Sequence, residues 1–176
     1  MAQLVMKRPP GAPALPPEGP MAVREAGSGD AAGLARLLAA AFPEQRWDVG
    51  RVNKELLDPP DVPVTYVIEE DGQIVATASV RYNERFPGAG YVHWVGVDPA
   101  RRGRRLGTVV MTRVMRRFEA DGRAFSILET DDFRLPAIAS YLGQGFIPHY
   151  TDADHEERWS KVFEQLAQGR RNAGRA

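Results

Sequence analysis

Val95-Gly96-Val97-Asp98-Pro99-Ala100-Arg101-Arg102-Gly103-Arg104-Arg105-Leu106-Gly107 is the stretch on which the reading of the chain turns. Apolar residues alternate up to Val97, and Asp98-Pro99 stops the strand. From Gly107 the apolar positions Val110, Met111, Val114, Met115 and Phe118 recur at helical spacing. A strand therefore passes through a basic, glycine-containing loop into a helix. The amino end of a helix presents unpaired N–H groups and a partial positive charge, so such a junction suits a phosphate. Gly103 and Gly107 allow the backbone to approach an anion closely, and the arginines at 101, 102, 104 and 105 add fixed charge. No Gly-Lys-Ser/Thr is present, so this is not a P-loop, and the glycines do not fit the dinucleotide pattern G-x-G-x-x-G. Spacing alone fits an anion-binding loop and a solvated basic turn equally well.

Upstream, residues 22–26 alternate as a short strand. Asp30 is a suitable N-cap, and residues 31–42 place Leu34, Leu37, Leu38 and Ala41 on one helical face. Residues 48–57 read as a second short helix closed by Pro59-Pro60. Residues 64–70 and 73–82 are strands joined by Asp71-Gly72, a two-residue hairpin signal, and 91–97 is a third strand. Downstream come a strand at 124–130, a helix at 135–143, a strand at 146–150, a last short strand around 157–159 and a terminal helix at 161–168. This order predicts an α/β fold: a mixed sheet with helices on both faces.

The 176 residues suit one core, and 43% apolar with 26% charged residues is an ordinary globular composition. Residues 1–20 hold six of the fourteen prolines and read as a disordered extension before a domain at 21–168; residues 169–176 read as a polar tail. Lys7-Arg8 is followed by prolines rather than an apolar run, so residues 1–20 do not read as a secretory signal. The absence of cysteine removes thiol nucleophiles, disulfides and Cys-containing zinc sites. No apolar run approaches the ~18 residues of a membrane span. Arginine far outnumbers lysine (Lys7, Lys54 and Lys161) and alanine and glycine are abundant, which points to a GC-rich bacterial genome.

With these residues in place, the junction resembles the acetyl-CoA pyrophosphate loop of the GNAT acyltransferase superfamily, Gln/Arg-x-x-Gly-x-Gly/Ala after an apolar strand. Arg102, Gly103, Leu106 and Gly107 fall in register, and Arg105 stands where a glycine is usual. A second stretch, Ala137-Ile138-Ala139-Ser140-Tyr141 followed by Gly145-Phe146, resembles that superfamily's Ala-x-x-x-Tyr-x-x-x-Gly-Phe. The wording of residues 130–148 is especially similar to acetyltransferases of the mycothiol synthase type, which carry two tandem domains. The resemblance covers roughly residues 21–165. It implies a mostly antiparallel central sheet with a splay between two parallel strands, here 91–97 and 124–130. It also implies transfer of an acetyl group from acetyl-CoA to an amine by direct attack in a ternary complex, in a cytoplasmic enzyme that needs no metal.

The resemblance further implies that the backbone of Val95, Gly96 and Val97 meets the pantetheine and polarises the thioester. Backbone N–H groups from Arg102 to Gly107, through Gly103, Arg104, Arg105 and Leu106, would hold the pyrophosphate. Arg101 and Arg104 are expected to add charge to the phosphates. Tyr141 matches the general acid for the departing thiolate, the rival role being a core aromatic. For the base, period-two alternation puts His93 on the face of Tyr91, Val95 and Val97, so it would point toward the splay. A half-buried, hydrogen-bonded histidine is the alternative, and Glu129 acting through water is the second candidate base. Trp47, Tyr82, Phe86 and Trp94 are candidates for an acceptor wall. His149 and His155 among acidic residues fit no zinc spacing.

Two other function classes stay open at this point. One is an acyl-CoA sensor without turnover. The other is a nucleic-acid-binding module using Arg101, Arg102, Arg104, Arg105, Arg113, Arg116 and Arg117. The formal charge of zero, from 23 basic and 23 acidic residues, conceals a segment 101–117 with those seven arginines and no acid. Residues 129–157 carry seven acids against Arg134 alone. The amine acceptor and the oligomeric state, a homodimer included, are not legible.

Overall fold

A computed structural model describes residues 3–17 and 19–173; Met1, Ala2, Glu18 and 174–176 lie outside the described residues. The chain divides into two compact units, residues 14–126 and residues 1–13 with 127–176.

In the larger unit the strands β2 (Val23–Glu25), β3 (Val64–Glu70), β4 (Gln73–Arg81) and β5 (Ala89–Val97) pair antiparallel in that order. Asp71 and Gly72 take φ of 51° and 71°, the left-handed pair that a tight two-residue hairpin requires. Helix α1 (Ala31–Ala41) buries Leu34, Leu37 and Leu38. Asp30 does not cap α1 directly: it ends a short 3-10 turn, Ser28–Asp30, and its carboxylate reaches back to Gly27 N at 2.8 Å while pairing with Arg24. The second helix is α2 (Val49–Val52), capped by Asp48, which runs into a π-type turn, Asn53–Leu57. Helix α3 (Leu106–Ala120) turns Leu106, Val110, Met111, Val114 and Phe118 inward.

The pairing of β4 with β5 changes register by one residue. Thr77 faces Gly96 and Ser79 faces His93, so Trp94 and Val95 together oppose Ala78. This is a β-bulge, with Trp94 left-handed at φ 47°. It reverses the side-chain alternation along β5. Gly90 faces α3, where an added Cβ would lie 2.2 Å from the Phe118 ring, yet Gly96 faces α1, 3.1 Å from Leu38. Helices thus cover both faces of this sheet, as the sequence predicts.

In the smaller unit β1 (Leu4–Arg8) lies between β6 (Phe125–Thr130) and β7 (Ile147–His149), β6 beginning just before the unit boundary. Helix α4 (Leu135–Gly143) and helix α5 (His155–Ala173) complete the unit. Two expectations are corrected here. Residues 4–8 are not a disordered extension, because Leu4, Val5 and Met6 are fully buried and pair with β7; the prolines begin only at Pro9. The strand expected at 157–159 and the tail from 169 are one continuous helix as far as Ala173. His155, Trp159 and Val162 are buried at helical spacing, and that stripe outweighs the short alternation.

Gly90→Ala is expected to lower stability by about 2 kcal/mol or more, because the ring of Phe118 fills the space its Cβ would need. Urea denaturation measures the loss, and Phe118→Leu in the same chain should recover part of it.

Candidate active site

The phosphate-type junction is built as a series of braces. Asp98 N donates to Val75 O at 2.9 Å, and its side chain accepts from Ala100 N at 2.9 Å, which starts the short turn Pro99–Arg101. Gly103 (φ 80°) and Arg105 (φ 59°) are left-handed, and α3 starts at Leu106 without a side-chain cap from Arg105. The uncapped amino end of a 15-residue helix leaves its first N–H groups available to an anion. Arg105 occupies a backbone conformation that costs a side-chain-bearing residue roughly 1–2 kcal/mol, which accounts for the glycine usual at this motif position.

Arg101 and Arg104 are not free at the loop tip. Both turn to Glu70 at the end of β3: Arg101 at 2.9 Å, and Arg104 with two bonds of 2.7 Å. Arg104, with help from Arg101, holds the Glu70 carboxyl below its ordinary value. Arg101 and Arg104, expected to add charge to the phosphates, thus meet Glu70 and brace the loop; Arg102, Arg104 and Arg105 are exposed. Glu70 carries no local signal in the sequence, since it lies 31 and 34 residues from its partners. Beside Arg105 a cleft of about 510 Å³ opens between Pro16, Pro20 and Met21 on one side and Thr108 and Thr112 of α3 on the other.

The bulge decides where His93 points. Val97 packs toward α3, its Cγ2 3.3 Å from where a Gly107 Cβ would stand. His93, on the other side of the bulge, faces the π-type turn. Its Nε2 lies 4.0 Å from Glu55 Oε2 and 3.5 Å from Arg81 Nη1. His93 and Val97 therefore do not share a face, contrary to the alternation expected of a regular strand. His93 is 8% exposed, and burial, together with Arg81, pushes the imidazole down to about 4. Trp47 and Phe42 each meet Trp94, and from Trp94 the rings continue through His93 and Tyr91 to Phe86, contacting centroids 4.7–6.0 Å apart. Arg51 lies over Trp47 at 4.1 Å, and Trp94 Nε1 donates to Glu55 at 3.4 Å. Three of the four aromatics expected as an acceptor wall are in this series. Tyr82 is not: it packs on Phe118 and bonds Asp121.

In the smaller unit Tyr141 sits on α4, 8% exposed, with its ring 6.3 Å from Phe146. Burial pushes its phenol up to about 12, Arg134 opposing, so at neutral pH it holds its proton and can act only as a donor. Glu129 is half-buried on β6. His155 is buried at the start of α5, with Nδ1 accepting from Thr151 N at 3.3 Å. Four of the seven acids of 129–157 pair with bases nearby in the fold: Asp131 with Arg134, Asp132 and Asp154 with Arg158, Glu157 with Lys161.

The state of His93 has a stability signature. An unfolded imidazole takes up a proton near pH 6.5, whereas the native one resists until about 4. Between these values the unfolded chain binds more protons, so stability falls as pH drops through the window, by up to about 3 kcal/mol. Urea midpoints between pH 7 and 5 should show this slope, and His93→Gln should flatten it.

Residues 31–146 match the family model described as Acetyltransferase (GNAT) family. A mycothiol acetyltransferase of Kineococcus radiotolerans is 35% identical over 136 residues, covering 73% of this chain and 43% of that protein. One of a Nocardioides species is 30% identical over 155 residues, covering 74% and 50%. The chain thus spans half or less of the length of these relatives. Among solved structures, the ribosomal-protein-S18-alanine N-acetyltransferase of Escherichia coli superposes with a TM-score of 0.63 at 17% identity, covering 73% of this chain and 79% of its own. A GCN5-related N-acetyltransferase of Sphaerobacter thermophilus does so with a TM-score of 0.60 at 21% identity, covering 85% and 50%. The chain belongs to the GNAT acetyltransferase family, with that family's mixed, mostly antiparallel α/β fold.

Proposed function

We propose that this chain transfers an acetyl group from acetyl-CoA to an amine by direct attack, with no covalent enzyme intermediate. The observation that carries this reading is the junction after β5. There an uncapped helix amino end, left-handed residues at 103 and 105, and exposed Arg102 and Arg105 present donors and charge to a pyrophosphate. The backbone from Arg102 to Gly107 holds the phosphates, and acetyl-CoA is the co-substrate. Backbone groups of Val95, Gly96 and Val97, at and just after the bulge, bind the pantetheine and polarise the thioester carbonyl. The amine nitrogen attacks that carbonyl, the C–S bond breaks, and Tyr141 donates its proton to the departing thiolate. Proximity in the ternary complex supplies much of the rate.

Proton removal from the incoming ammonium falls to His93 or to Glu129 through water. An imidazole pushed down to about 4 is neutral at pH 7, with one ring nitrogen open to accept a proton, but it is a weak base. Engagement of Arg101 and Arg104 by Glu70, of Arg117 by Asp121 and of Arg116 by Pro16 O breaks up the arginine stripe that a nucleic acid would need. That favours the cofactor reading over the nucleic-acid one. Similarity to mycothiol acetyltransferases directs attention to small amines as acceptors.

Release of free thiol from acetyl-CoA in the presence of a panel of amines tests the activity, and calorimetric binding without any amine-dependent release would reduce the chain to a sensor. Tyr141→Phe should lower kcat by about 100-fold, within the range for general acids, with the Kd for acetyl-CoA changed less than about twofold. A fully active Tyr141→Phe removes the tyrosine from the mechanism.

A further inference from the structure

Residues 3–13 lie outside the family-matched span 31–146, yet they are built into the unit that carries Tyr141. Strand β1 is fully buried at Leu4, Val5 and Met6 and pairs antiparallel with β7, Val5 opposite His149 and Lys7 opposite Ile147. Its two ends reach the two ends of α4.

At the entry to α4, Gln3 Nε2 donates to Asp131 Oδ1 at 3.2 Å. The other oxygen of Asp131 accepts from Arg134 Nε at 3.0 Å, and Arg134 is the residue that begins the helix. At the exit, Tyr141 O accepts from Gln144 N at 3.0 Å and from Phe146 N at 3.1 Å, while Gly145 is left-handed at φ 85°. This is the tight glycine-terminated end that satisfies the last carbonyls of a helix. The Gln144 carbonyl beyond it accepts from Arg8 Nε at 3.0 Å, and the same guanidinium bonds Pro13 O. Gly145 also lies against Arg8 and the segment that follows β1. A Cβ there would stand 3.2 Å from Pro13, 3.4 Å from Ala12 and 3.6 Å from Arg8 Nε. The glycine is therefore favoured by its backbone angle and closely fitted by the segment that follows β1.

A nine-residue helix is only marginally stable by itself and takes its position from packing and from its ends. A shift of about 1 Å in a proton donor is enough to lower turnover substantially. We propose that β1 is the clamp that positions the Tyr141 helix, with Arg8 as its positioning residue: it fixes the exit of α4 through Gln144 and Gly145, while Gln3 steadies the entry through Asp131. The proposal rests on Tyr141 being the proton donor. Arg8 touches no reacting atom; it acts on turnover through the tyrosine.

The test uses the full chain and the variants Arg8→Ala, Arg8→Lys, Tyr141→Phe and the double variant Arg8→Ala/Tyr141→Phe. Hydrogen-exchange mass spectrometry should show amides 135–146 exchanging about tenfold faster in Arg8→Ala, with residues 106–120 unchanged. Steady-state kinetics should show kcat about tenfold lower, the KM for acetyl-CoA within twofold of the parent, and no further loss when Arg8→Ala is added to Tyr141→Phe. Arg8→Lys keeps a cation at the carbonyl but loses the second arm to Pro13, so it should fall between the parent and Arg8→Ala; it also supplies the measurement if Arg8→Ala does not fold. Unchanged exchange over α4, with Tyr141→Phe impaired, overturns the clamp and leaves the tyrosine's role standing. Multiplying losses in the double variant also overturn it, because Arg8 would then act elsewhere. Full activity in Tyr141→Phe is the separate failure, in which the acid reading falls and the clamp's effect on turnover falls with it.

Discussion

The bulge at Trp94-Val95 is the constraint on which the larger unit depends. A tryptophan at φ 47° carries roughly 1–2 kcal/mol of backbone cost, and an extra residue leaves the β4–β5 ladder one residue out of step. The surroundings offset that cost. The Trp94 indole is packed edge-on against Phe42 and Trp47 and donates to Glu55, which sits on the irregular π-type turn. Two departures from regular structure, one in a strand and one in a helix, are thus tied together by the Trp94–Glu55 bond and an aromatic cluster. The bulge is also what sends Gly96 toward α1 and Val97 toward α3, so that the strand enters the anion-type loop with the correct face against the helix.

The loop itself depends on a carboxylate that opposes its apparent purpose. Glu70 lowers the positive potential that Arg101 and Arg104 would otherwise offer to a phosphate. In return it fixes both guanidiniums, and with them the turn that presents the backbone N–H groups. Backbone donors held in place in advance lose little entropy on binding, whereas mobile arginines would have to be ordered at that moment. On the proposed cofactor reading, the loop binds through positioned dipoles more than through loose charge.

Much of the fold is legible in local patterns. The Asp71-Gly72 hairpin, the helix at 135–143 and the apolar face of α3 follow from turn chemistry and helical spacing, each of which acts over a few residues. The loop motif and the Tyr141 motif were legible for the same reason, since their residues are contiguous. Other features depended on partners far away in the chain. Residues 4–8 become a strand because β7, some 140 residues later, supplies the ladder, and a proline-rich neighbourhood gives no hint of it. The face of His93 could not be read because the alternation rule assumes a regular strand, and the bulge that breaks the rule is a property of the β4–β5 pair.

By itself the sequence determined the order of elements from β2 to β7, the family and the residues of both motifs, because these are written in short-range periodicity and contiguous chemistry. Only the tertiary structure decided which charges are free and which are spent. The seven arginines of 101–117 and the acids of 129–157 look like two opposing patches along the chain, but Glu70, Asp121, Arg158 and Lys161 neutralise parts of each. Charge interactions act through space over a few ångströms, and folding brings together residues whose separation in sequence carries no information about that distance.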